Sequence, residues 1–100
     1  MTCSIYVIGR EQGPVKVGIS QKPHVRAYDL QTGCPYKIDL LFSAECESRA
    51  QARAFESQVH AVLEKHRMAS EWFSVEAWQA IECAETAIQI EEYYASMGRP

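Results

Sequence analysis

The chain reads as an α+β domain with a small three-stranded, mostly antiparallel sheet flanked by helices, in the order β-β-α-β-α-(β)-α. Three observations predict this. Two short runs rich in β-branched and aromatic residues, Ser4–Gly9 and Val15–Ser20, lie close together near the start. Only a polar connection ending in a Gly-Pro breaker separates them, which favours a hairpin. Two later segments repeat apolar residues at helical spacing.

Taken in order, Ile5 to Gly9 is a buried strand, Arg10 to Pro14 a connection, and Val15 to Ser20 the second strand. Pro23 suits the first turn of a helix, where its missing N–H costs nothing. Val25, Tyr28 and Leu30 supply that helix's apolar side, Gly33 stops it and Pro35 prevents resumption. Lys37 to Phe42 is a third strand, alternating at first and apolar at its end. Ser48 and Gln51 have capping-box spacing, so a second helix starts near Arg49 and runs to about Arg67. Ala52, Phe55, Val59, Val62, Leu63 and His66 share one face of it. Glu71-Trp72-Phe73 is a short extended segment or turn whose two aromatic rings pin the second helix to the sheet. Ser74 caps a third helix, with Glu76 near its positive end and Trp78, Ile81, Ala84 and Ile88 as the buried stripe. Gly98 closes it, and Arg99-Pro100 is a frayed tail.

A chain of 100 residues makes one domain, 1–100, with a modest core, so a homodimer or a fused partner is in keeping with its size. Hydrophobic residues are 47% and charged residues 23%, a normal balance for a folded domain. No apolar run approaches the ~20 residues of a membrane span. Met1-Thr2-Cys3-Ser4 does not start a signal peptide. Cys3, Cys34, Cys46 and Cys83 form no Cys-x-x-Cys pair, so reduced thiols and a cytoplasmic location are expected rather than zinc or disulfides. The net charge of −3 argues against nucleic acid until its distribution is considered. Residues 1–33 carry four basic and two acidic groups, residues 34–67 five of each, and residues 68–100 one basic and six acidic. The acidity belongs to the last third, and the remainder is compatible with a polyanion.

Tyr6 within Ser4-Ile5-Tyr6 and the tripeptide Lys16-Val17-Gly18 give the chain a more specific look. With Arg26 on the first helix and Glu56 on the second, the pattern resembles the GIY-YIG nuclease family, in its short single-domain phage and bacterial branch. The resemblance covers about residues 4–75 and leaves the acidic C-terminal helix, 75–97, outside. It implies a GIY-YIG-like fold, an endonuclease that hydrolyses DNA phosphodiester bonds by a one-metal mechanism, and a separate DNA-binding partner to supply specificity. Glu56 would ligate a single Mg²⁺ or Mn²⁺, an ion that commonly needs only one or two protein carboxylates. Arg26 would stabilise charge on the phosphate with paired hydrogen bonds. Tyr6 would position or activate the attacking water, its phenol acidified by nearby cations. Lys16 replaces the second motif's tyrosine and would hold Tyr6 ionised or contact phosphate. Gly18, Ser20, His24 and His60 are candidate substrate contacts, and His60, one turn after Glu56, is also a neighbour for the metal. The family's late asparagine has no counterpart, since the chain contains none, and Glu71 is the candidate to stand in.

Two other classes compete. A catalytically inactive module would bind nucleic acid without cutting it. A protein-interaction subunit would use Ile90, Tyr93 and Tyr94, apolar groups off the main stripe of the last helix.

Overall fold

The computed structural model describes residues 2–98, so the tail at Arg99 and Pro100 lies outside the described residues. Strand β1 (Cys3–Gly9) is apolar on both faces, and both faces are covered. Cys3, Ile5 and Val7 enter one cluster and Tyr6 and Ile8 the other, following the period-two alternation of a strand. Such a strand belongs inside a sheet. It pairs antiparallel with β2 (Val15–Ser20) on one side and β3 (Asp39–Cys46) on the other.

The sheet has five strands, not three. A hairpin of β4 (Arg67–Ala69) and β5 (Trp72–Phe73) joins the outer side of β2, giving the order β3-β1-β2-β5-β4 with every pairing antiparallel. The added strands are three and two residues long, too short to leave a periodic signal in the sequence. Ser70 turns the hairpin with a φ of 53°.

Strand β3 starts two residues later than the sequence suggests and continues to Cys46. Its register against β1 shifts once: Val7 faces Phe42 while Ile8 faces Leu40, leaving Leu41 as an extra residue. Leu40 therefore packs with Tyr6, Ile8 and Ile38, and Leu41 and Phe42 both pack on the opposite, larger core. The consecutive apolar run at the end of the expected strand is explained by this bulge.

Helix α1 (Pro23–Thr32) covers the Tyr6 side of the sheet with Ala27 and Leu30. The expected Val25 and Tyr28 are 53% and 77% exposed. So few apolar residues on this helix leave its face to be chosen by the sheet, and the small Ala27 side chain permits close approach. Helix α2 (Arg49–Leu63) begins where Ser48 Oγ accepts a 3.1 Å hydrogen bond from the Gln51 N–H, while Gln51 Oε1 accepts from the Glu47 N–H at 2.8 Å. Ala52, Phe55, Val59 and Leu63 are buried on the larger core. Val62 is 63% exposed, and the helix ends at Leu63 because one 3-10 turn, Glu64–His66, leads the chain into β4.

Helix α3 (Ala77–Ser96) is capped by Glu76 rather than Ser74, with Gln79 reaching back to the Glu76 N–H at 2.9 Å. Its buried seam is Ala77, Ala80, Ala84 and Ala87, with Ile81 and Ile88 partly buried beside it and Trp78 exposed. The small seam lets the helix lie close to its neighbours and turns the larger side chain of Trp78 outward. Gly98 follows the helix with a φ of 69°. No helix of the described residues is long and apolar enough to cross a membrane.

Tyr6 and Gly18 are directly paired across β1 and β2. A Cβ at position 18 would lie 2.5 Å from the Tyr6 hydroxyl oxygen and 2.7 Å from Cζ of its ring. The ring is buried and cannot retreat. Gly18→Ala is therefore expected to destabilise the fold by about 1–3 kcal/mol. Urea unfolding should show a lower midpoint at unchanged slope.

Candidate active site

Strand β5 pairs with β2 only at Val15 and Lys16, so Gly18–Ser20 have no strand neighbour on the outer side. Val17 stands at the limit of that pairing. Its N–H donates to the Glu71 carbonyl at 3.2 Å. Its own carbonyl accepts from His60 Nε2 at 2.8 Å. A carbonyl can only accept, so the His60 proton is on Nε2 and Nδ1 is the nitrogen left for another partner. The His60 ring also leans on Phe73, with centroids 5.2 Å apart. These contacts draw one face of α2 and the start of β5 to the open half of β2. Glu56, His60 and Glu71 each present one ligand atom there, all within 4.8 Å of one another and each half-buried.

A cleft of about 320 Å³ opens beside this group. Tyr6 from β1, Arg26 from α1, Glu56 from α2 and Glu71 line it, together with Arg49 and Arg53 from the first two turns of α2. Lys16 is buried, and its Nζ lies 3.5 Å from Glu71 Oε1. The β1–β2 register puts Lys16 and Gly18 on the same sheet face as Tyr6. Gly18 thus makes room for the Tyr6 ring.

Burial pushes the Glu56 carboxyl above its usual range, and the charge of Glu71 adds to the shift while His60 opposes it. Two carboxylates this close repel, and Lys16 offsets only part of that on the Glu71 side. The Tyr6 phenol is also raised, because burial outweighs the opposing effect of the Arg26 guanidinium and the charges of Glu71 and Glu56 raise it further. The expectation that cations acidify this phenol is corrected: desolvation wins, and Tyr6 is a hydrogen-bond donor at neutral pH.

The substrate candidates Gly18, Ser20 and His24 are not among the residues that line the cleft. Ser20 Oγ accepts from the Lys22 N–H at 3.0 Å and shapes the turn into α1. His24 is exposed on α1 and is neither among the cleft residues nor in the Glu56–His60–Glu71 group. Conversely, Arg49 and Arg53 line the cleft although neither is among the candidates named from the sequence. Their signal was present: Arg49, Arg53 and Glu56 follow at helical spacing along one side of α2, but the even charge count of the middle third hid it. A larger groove of about 560 Å³ between α2 and α3, walled by Val62, Trp78 and Ile90, contains none of the candidate residues.

The model of one protein family, the T5orf172 domain, matches residues 4–88. No match was found among curated proteins or among solved structures. The resemblance to the GIY-YIG family is thereby corrected, since the matching family is a different one and no GIY-YIG model matched. Two short apolar segments ending near a glycine occur in many buried strands, and here the second has Lys16 where that motif requires tyrosine.

The raised Glu56 carboxyl fixes the sign of a stability effect. The folded protein holds that proton more tightly than the unfolded chain, so Glu56 contributes stability at low pH that is lost as pH rises through its folded-state pKa. In metal-free buffer, Glu56→Gln should match wild type near pH 4 and exceed it at pH 7. Half-burial and screening limit the gain to no more than about 1 kcal/mol. Thermal melts of both proteins across that range test it, and equal melting temperatures at pH 7 would contradict it.

Proposed function

The chain belongs to the T5orf172 domain family, a nuclease-associated domain, and on that premise we propose that it is a nuclease that hydrolyses DNA phosphodiester bonds with the help of one divalent ion. The observation that carries this reading is the meeting of Glu56, His60 and Glu71 at ligand spacing beside Tyr6 and Arg26. Four separate elements would have no packing reason to direct these polar groups to one cleft.

The donor set fits a divalent cation. Two carboxylates suit Mg²⁺ or Mn²⁺, and a ring nitrogen of His60 lies within the same group. Glu56 and Glu71 would hold the ion, and its charge would offset the burial and the Glu71 repulsion that raise the Glu56 carboxyl. Such an ion supplies a Lewis acid for the phosphate and a lowered pKa for bound water. Arg26 donates paired hydrogen bonds to non-bridging phosphate oxygens, where charge grows during attack. Tyr6, kept protonated by its burial, donates to the attacking water or to a phosphate oxygen and so fixes the line of attack. Lys16 holds Glu71 in place and keeps the local charge from becoming too negative to admit phosphate. Gly18 acts through Tyr6, by leaving the space its ring fills.

Nicking of supercoiled plasmid tests the reading. Wild type should cut with Mn²⁺ or Mg²⁺ and stop with EDTA. Glu56→Ala and Arg26→Ala should each lose at least about 100-fold in rate. A wild-type protein that cuts with neither ion, or variants that cut as well as wild type, would refute it.

A further inference from the structure

Three guanidiniums line the cleft, and the chemistry at the scissile phosphate employs one of them. Arg26 stands next to the Tyr6 phenol. Arg49 and Arg53 remain. Both are exposed, and among the described residues neither forms an ion pair. Solvated surface arginines are common, but these two face the same cleft as the paired carboxylates, and Arg53 is near enough to act on the Glu56 carboxyl. Arg49 is the first residue of α2, whose first turn has no acidic side chain to offset it. The helix's own polarity disfavours a cation at that end. In the free protein this placement gains nothing for the fold.

We infer that Arg49 and Arg53 bind phosphates next to the scissile one on the same strand, so that the site takes a polynucleotide strand rather than a free nucleotide. The two residues are one helical turn apart, about 5–6 Å between their Cβ atoms, a spacing of the order of that between neighbouring phosphates along a strand. Arg26 on α1 and this pair on α2 line the same cleft from two helices, together with Glu56 and Glu71. A mononucleotide has one phosphate ester to offer and cannot engage both helices and the second turn of α2 together. Once a divalent ion balances Glu56 and Glu71, the three guanidiniums leave the cleft strongly positive, which suits a chain of phosphates. The inference rests on the nuclease reading for the position of the scissile bond, but strand binding is measurable without cleavage.

The test is fluorescence anisotropy of a labelled oligodeoxythymidylate, with Ca²⁺ in place of Mg²⁺, over a series of salt concentrations. Arg49→Gln and Arg53→Gln should each weaken binding on the order of tenfold. Each should also flatten the slope of log affinity against log salt by about 0.7, the value for one single-strand phosphate contact. Arg49→Lys and Arg53→Lys should retain the slope, which a merely structural role would not predict. Thymidine monophosphate should compete weakly and equally against wild type and variants. With Mn²⁺, the glutamine variants should raise KM far more than they lower kcat. Wild type that fails to bind the oligonucleotide, or a double glutamine variant with wild-type affinity and slope, overturns the inference. Arginine-dependent binding without cleavage by wild type supports it while refuting the nuclease reading. Cleavage with a KM indifferent to both arginines does the reverse.

Discussion

The outward-facing backbone of Val17 is the joint on which the site depends. An interior strand passes such a pair of groups to the next strand as ladder hydrogen bonds. Here β5 ends too soon, and the two groups are taken by different partners: the Glu71 carbonyl and the His60 ring. A buried N–H or C=O left unpaired costs on the order of 1–3 kcal/mol. Satisfying this one residue therefore ties the start of β5 and the middle of α2 to a single point. Glu56, one turn before His60, is brought there by the same contact.

Electrostatics at that point are held in partial balance. Glu56 and Glu71 repel, burial disfavours the charge on Glu56, and Lys16 and Arg26 supply cations without closing the account on either side. The arrangement resembles what active sites generally show, polar groups kept near one another at some cost to the free fold. The sheet supplies the rigid part. Tyr6 lies against a residue with no side chain, between a paired strand below and α1 above, so its hydroxyl has little freedom.

Much of the fold was legible in the sequence, and the failures have physical causes. The two opening strands, the helix at Pro23 and the start of the helix after Ser48 were marked by local signals: β-branched runs, a breaker, a proline and a cap. The extended segment at Trp72-Phe73 was read and is β5, but β4 and its pairing with β5 were not, because strands of three and two residues are decided by their neighbours. Helical faces failed where apolar residues were sparse or small. Val25 and Tyr28 were chosen over Ala27, and Trp78 over an alanine seam, because hydrophobicity was weighed and closeness of approach was not. At the site, Tyr6, Arg26 and Glu56 were named from a family resemblance that the family match corrects, and one cleft nonetheless holds all three. Glu71 was only a weak candidate and Arg49 and Arg53 none at all, since their position depends on where β5 stops and how α2 is rolled. Ser20 and His24 show the converse, polar residues near a motif that fold into turns or face water.

The extra residue at Leu41 divides labour between the two seams of β1. On the β3 side the ladder already tolerates a mismatch in length, and the hydrocarbon around Leu40 to Phe42 absorbs it. On the β2 side the pairing from Ser4–Ser20 to Gly9–Val15 is unbroken. An insertion or deletion in the chain leading to β3 can thus be taken up where a slip is already accommodated. A one-residue slip on the β2 side would set the phenol opposite Val17 or Ile19 in place of the glycine. The five-residue connection from Arg10 to Pro14 must therefore keep that register fixed.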